Sequence, residues 1–250
     1  MDLVGDLLAR DRRTRDLALV TPDGRERTYH DLITNGYKAA NVLRYLGVRT
    51  GATVAVEPTP GFHTTLAFLG AAAVGAPVRF DPAAGIDAGD RVVLAPVATA
   101  AAFDPTPGTN LAAFGGPPDR PETTHWEQEL WSENPGMPPS DVAPDDPVAR
   151  EADGDVSHRE LCSLAAAAVE AADIDEETRV VLRGPFSDHP ALAAGLVAPL
   201  SVGGTAVLAT ANDGEAAGDD SRGNVAIAPA AASVPEPRRL DPASIAPTAE

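Results

Sequence analysis

Lysine is almost missing from this chain: of its nineteen basic residues, Lys38 is the single lysine and eighteen are arginine. Cysteine occurs once, at Cys162, which excludes an internal disulfide and any multi-cysteine metal site. Its expected role is that of a small core residue. Aromatic residues make up only 4% of the chain, and its apolar content leans on Ala and Val. No apolar run approaches the ~20 residues that span a bilayer. The start, Met1-Asp2-Leu3-Val4-Gly5-Asp6, lacks the basic segment and apolar stretch of a secretory signal. A cytoplasmic location is the expectation.

Acid, by contrast, is abundant. Thirty-seven carboxylates against nineteen basic residues give a formal charge of −18, which repels nucleic acid and anionic membrane and excludes both as partners. A carboxylate-rich, lysine-poor surface suits a cytoplasm of molar salt, where the Debye length falls to about 3 Å and acidic self-repulsion is screened. The composition is thus that of a salt-in halophile. At 250 residues with 44% apolar content, the chain can bury the core of one large domain or two small ones. Repeated apolar patterns set aside the other reading of such acidity, a chain without fixed structure.

Those patterns alternate. Leu17 to Val20, an Asp23-Gly24 turn and Arg25 to Tyr29 predict a hairpin. Thr28 and Asp31 then form a capping box for a helix that Gly47 ends, with Leu32, Ala39, Val42, Leu43 and Leu46 on its apolar face. Strands at 54–56, 77–80, 91–96 and 111–114 and a helix at 62–74 follow. A second Asp-Gly turn, at Asp153-Gly154, and a second cap, Ser157 with Glu160, repeat the first arrangement ahead of a helix to about Ala172. Strands at 179–182, 205–208 and 224–227 and a helix at 190–200 complete the series. The predicted fold class is α/β, with mainly parallel sheets and flanking helices.

The same reading divides the chain into a first α/β subdomain over 1–114, a second over 147–228, and two stretches without regular structure. One is a Pro- and acid-rich linker over 115–146, pinned to the body by Trp126 and Trp131; the interval from Gly115 to Pro147 holds eight prolines. The other is an Ala/Pro-rich tail over 229–250.

The order of segments resembles a known family. Thr28-Tyr29-His30-Asp31-Leu32, Ala39-Ala40-Asn41-Val42-Leu43 and Leu46 to Val56 resemble the N-terminal region of AMP-forming acyl-CoA synthetases and related adenylate-forming enzymes. Phe68 to Val78, Val156-Ser157-His158-Arg159-Glu160-Leu161 and Pro199 to Leu208 continue the likeness, which covers roughly residues 17–209 with gaps. The resemblance implies a Ser/Thr/Gly-rich loop ending in Pro-Lys-Gly, between the strand at Pro147 and the segment at Val156, that grips the phosphates of ATP. Here that interval reads Val148-Ala149-Arg150-Glu151-Ala152-Asp153-Gly154-Asp155, with one glycine, no hydroxyl and no lysine. Three of its four charged residues are acidic and repel a triphosphate. Arg150 supplies a cation, but an arginine cannot reproduce the loop. The family also implies later nucleotide-binding segments and a C-terminal domain with a second lysine, neither of which this sequence contains.

Residue by residue, the site candidates are few. His158 follows a helix cap, where an imidazole can meet a ligand, and His189 stands where the family often places a histidine near the acyl pocket; a solvated or hydrogen-bonded histidine is the competing account for each. Ser157 lacks a Gly-x-Ser-x-Gly turn, so capping explains it better than nucleophilic attack. His63 and His125 lack metal-ligand spacing, and no metal site is expected. Gly203-Gly204 reads as a helix-to-strand connection rather than a phosphate turn. The ligand-binding candidates are therefore Arg150, Ser157, His158 and His189, with no catalytic residue and no cofactor.

Together these features predict a non-catalytic, acyl-CoA-synthetase-like binding or regulatory subunit, working with an intact paralogue or as a homo-oligomer and holding a small acyl ligand. The alternative is half of a split AMP-forming ligase, which would need ATP with magnesium, and CoA.

Overall fold

The computed structural model describes residues 1–151, 154–210 and 223–246. After a short 3₁₀ turn at Val4–Leu8, strands β1 (Leu17–Val20) and β2 (Glu26–Thr28) form the first hairpin, and α1 (Tyr29–Tyr45) follows at once. The expected box is present: the Asp31 N–H donates to Thr28 Oγ1 at 3.1 Å, and the Thr28 N–H donates to Asp31 Oδ2 at 3.2 Å. Gly47 stops the helix with φ +90°, a conformation that favours a residue without Cβ.

Next come β3 (Thr53–Val56), α2 (Phe62–Ala73), β4 (Val78–Arg79), β5 (Asp90–Pro96), α3 (Val97–Ala100) and β6 (Asn110–Phe114). Then β7 (Thr124–His125), α4 (Trp126–Ser132), β8 (Pro147–Glu151), β9 (Gly154–Ser157) and α5 (His158–Ala172) lead into β10 (Arg179–Leu182). A helix with a π turn at Ala193–Val197 joins α6 (His189–Leu192) to α7 (Ala198–Val202), and β11 (Thr205–Leu208), β12 (Val225–Ile227) and β13 (Arg238–Leu240) end the series.

The strands form two sheets, mainly parallel as the alternation predicts. One has the order β13-β12-β10-β11-β1-β2, the other β7-β6-β5-β3-β4-β8-β9, and in each the antiparallel hairpin strand sits at one edge. The repeated hairpin-and-helix pattern of the sequence is thus a repeated sheet edge.

The boundaries expected at 114 and 147 are not those of the molecule. Met1–Leu32, Pro60–Phe62 and Arg159–Glu250 make one compact unit, and Ile33–Thr59 with His63–His158 make the other. The reason is strand pairing: β1 lies parallel to β11, with Leu19 opposite Ala206, so the first hairpin belongs to the sheet made by the end of the chain. In the first unit Val20, Val181, Val207 and Ala209 pack together against Leu17. In the second, Ala55, Val93, Ala95, Leu111 and Ala113 pack with Phe103. Small aliphatic side chains make up most of both clusters, while Trp126, Phe68 and Phe186 are buried as well.

Two further expectations are corrected. The 115–146 stretch contains β7 and α4; Trp126 is fully buried, but Trp131 is 85% exposed and pins nothing. The 229–250 stretch is not a tail without structure, because Arg238–Leu240 adds a parallel strand beside β12 and Asp241 caps a turn at Pro242–Ser244. Residues 247–250 lie outside the described residues, as do Ala152 and Asp153 of the second hairpin turn.

Candidate functional site

The interval in which the resemblance implies a phosphate loop is instead part of a hairpin in the second unit. β8 and β9 pair antiparallel with Arg150 opposite Asp155 and Glu151 opposite Gly154, so only two residues separate the last pair. Residues 148–151 and 154–157 are strand, so their backbone N–H groups do not form the run that cradles a phosphate. Arg150 is already engaged, its Nη1 donating to Thr53 Oγ1 at 2.9 Å and its Nε lying 3.4 Å from Asp155 Oδ1. With Glu151 and Asp155 both exposed beside it, the turn carries net negative charge. The residues present do not fit a nucleotide triphosphate.

Ser157 closes β9 opposite Pro147, and α5 begins at His158 directly after it. His158 is fully buried, and its backbone N–H donates to Asp146 O at 3.1 Å. Arg150, Ser157 and His158 therefore lie on one hairpin and the start of its helix. His189 does not join them within that unit. It starts α6 in the other unit, 4% exposed, behind a cap in which Asp188 Oδ1 accepts the Ala191 N–H at 3.0 Å.

Gly203-Gly204 is the expected connection. Gly203 has φ +88°, and a Cβ at Gly204 would lie 2.6 Å from Asp175 O. The Gly204 carbonyl accepts the Tyr29 hydroxyl at 2.7 Å, and burial pushes that phenol well above its usual range, against the opposing effect of Arg12. Cys162 is buried as expected; burial pushes its thiol up to about 11, which leaves it protonated and poorly nucleophilic at neutral pH.

A cavity of about 630 Å³ in the first unit is lined by Arg12, Asp16, Tyr29, Glu176, Glu177 and Ser201. These residues precede β1, β10 and β11 or, for Tyr29, follow the antiparallel β2, so it opens at the amino edge of the sheet, opposite the edge where parallel sheets bind ligands.

At the carboxyl edge of the second sheet, the structure gathers side chains that the sequence kept apart. Glu127 Oε1 lies 3.7 Å from His63 Nε2 and accepts the Gly115 N–H at 2.5 Å, while its Oε2 lies 3.5 Å from His125 Nε2. The His63 ring stacks on Phe114 with centroids 5.4 Å apart. Beside them Thr99 Oγ1 donates to Glu57 Oε2 at 2.6 Å, joining the segments that follow β5 and β3. These residues come from the ends of different strands, so no local spacing signals them. Even so, among the described residues no three His, Cys, Asp or Glu side chains are arranged to hold a metal ion. Nor, among those residues, is any helix long and apolar enough to cross a membrane.

No protein-family model matches the sequence, and no curated protein sequence matches it. Solved structures do. The anthranilate CoA ligase AuaEII in complex with anthranoyl-AMP aligns with a TM-score of 0.69 at 18% identity, over 82% of this chain and 44% of that one. Apo MatB from Rhodopseudomonas palustris aligns at 0.67 and 18% identity, over 83% of this chain and 44% of that one. The N-terminal domain of FACL13 from Mycobacterium tuberculosis aligns at 0.68 and 22% identity, over 84% of this chain and 57% of that one. The chain thus has the fold of the N-terminal domains of adenylate-forming enzymes and spans less than half the length of the first two of these chains.

Proposed function

We propose that this chain is a non-catalytic, acyl-CoA-synthetase-like protein that acts as a binding or regulatory subunit, in a cytoplasm of high salt. The observation that carries the reading is the β8–β9 hairpin. Where the resemblance calls for a phosphate-gripping loop, the strands close through two residues, with Glu151 and Asp155 exposed and Arg150 committed to Asp155 and Thr53. Adenylation concentrates negative charge on the transferred phosphate, and catalysis needs donors already aimed at it. A turn bearing carboxylates does the reverse. The ligand of such a subunit is a small acyl compound, and its partner is an intact paralogue or a second copy of the chain.

The test is acid-dependent exchange of labelled pyrophosphate into ATP with magnesium, run in molar KCl with carboxylic acids of different chain lengths. No exchange above the protein-free control is expected. Exchange by the purified chain would overturn the non-catalytic reading.

One observation favours a second reading, half of a split AMP-forming ligase: the chain aligns with 44% of the AuaEII chain. ATP with magnesium and CoA would then act on the joined halves. AMP release that appears only on co-expression with neighbouring gene products would support it.

A further inference from the structure

The chain leaves β10 toward β11 on one side of the first sheet and leaves β12 toward β13 on the other. All four strands are parallel, so the crevice between the carboxyl ends of β10 and β12 is the switch point of that sheet, where open parallel sheets bind ligands. Arg183 stands there. It directly follows β10, and its backbone N–H donates to the carbonyl of Ile227, the last residue of β12, at 3.0 Å.

Its guanidinium is gripped from inside the protein. Nε donates to Glu236 Oε2 at 3.0 Å and Nη2 to Glu236 Oε1 at 2.6 Å, with the side chains 12% and 0% exposed. This two-pronged arrangement is the one by which arginine holds the carboxylate or phosphate of a ligand. Stability alone does not call for it, because an apolar pair of similar size holds a fold as well as a buried ion pair does. The carboxylate also comes from a lightly attached segment. Residues 229–246 are held by β13, three residues long at the sheet edge, by a single buried turn residue, Pro242, and by exposed bonds such as Arg238 Nη1 to Ala172 O at 2.7 Å. Segments with few buried contacts open at low cost.

We propose that Arg183 is the anion-binding residue of a ligand site in this crevice, for a small molecule bearing a carboxylate or a phosphate. Glu236 fills the site as an internal stand-in that the ligand displaces as the 229–246 segment lifts. The proposal deepens the binding-subunit reading, and its test reads binding alone, so its failure leaves the pyrophosphate-exchange result untouched.

The probes are potassium butyrate and potassium phosphate, titrated calorimetrically into the full chain at constant ionic strength. Glu236→Gln keeps the shape and removes the competing charge, and it should bind one probe at least ten-fold more tightly than the unaltered protein. Butyrate assigns a carboxylate ligand and phosphate a phosphorylated one. Adding Arg183→Gln should abolish the gain. In the unaltered protein the same probe at high concentration should speed hydrogen exchange at the Ala228 amide, which donates to Leu240 O at 3.1 Å. A folded Glu236→Gln that binds neither probe, or a gain that survives Arg183→Gln, would overturn the proposal. Should Glu236→Gln fail to fold, the exchange measurement decides, and unchanged protection at Ala228 overturns it.

Discussion

Asp31 closes the first turn of α1 with both of its chemistries. Its backbone N–H reaches the Thr28 hydroxyl, and its carboxylate accepts the Thr28 N–H and, at 2.8 Å, the Thr28 Oγ1–H. Burial alone would raise its pKa, but the Thr28 donors and the nearby His30 and Arg27 outweigh it and hold the carboxyl below its ordinary value. A carboxyl depressed in the folded state adds stability that is fully present above its unfolded pKa, about 3.9. That stability is lost as the pH falls through the folded value. Asp31→Asn should therefore lower the unfolding midpoint in urea at pH 7, and the gap from the unaltered protein should shrink below pH 4. An equal gap at pH 7 and pH 3 would show that the charge plays no part. This box was legible in the sequence because a cap is a local device. Burial of His158 and His189 was not, since burial depends on which distant segments pack over a residue.

At the scale of elements, α1 and α2 approach closely within the second unit. A Cβ on Gly70 of α2 would sit 2.9 Å from Ala40 N and 3.1 Å from the Ala39 carbonyl carbon, both backbone atoms of α1 that cannot swing aside. On propensity, Gly to Ala inside a helix gains about 1 kcal/mol. Forcing a methyl into a packed contact costs about 1–3 kcal/mol, so overpacking should win. Gly70→Ala is expected to destabilise the protein in urea unfolding; a variant as stable as the original would mean that the helices do not meet at Gly70. Most elements were legible from periodicity, as with α1 and β3. The strand Arg238–Leu240 was not, because three residues amid Pro and Ala give no alternation and the strand exists only by pairing with β12. The same reason hid the cluster of His63, His125 and Glu127, which the ends of β6 and β7 and the start of α2 bring together.

For the whole molecule, topology and charge point the same way. The sequence predicted two α/β bodies, but not that β1 crosses to the sheet built by the end of the chain, since a parallel partner 187 residues away leaves no local trace. Lys38, the single lysine, lies in α1 and not in the β8–β9 hairpin. The charge of −18 adds a general repulsion toward a triphosphate, which salt screens. Any test of nucleotide binding must therefore remove that repulsion, leaving only the chemistry of the hairpin. Calorimetric titration of ATP with magnesium in molar KCl does so. The hairpin account predicts no saturable heat up to millimolar nucleotide, whereas a saturable, magnesium-dependent isotherm at micromolar ATP would contradict it.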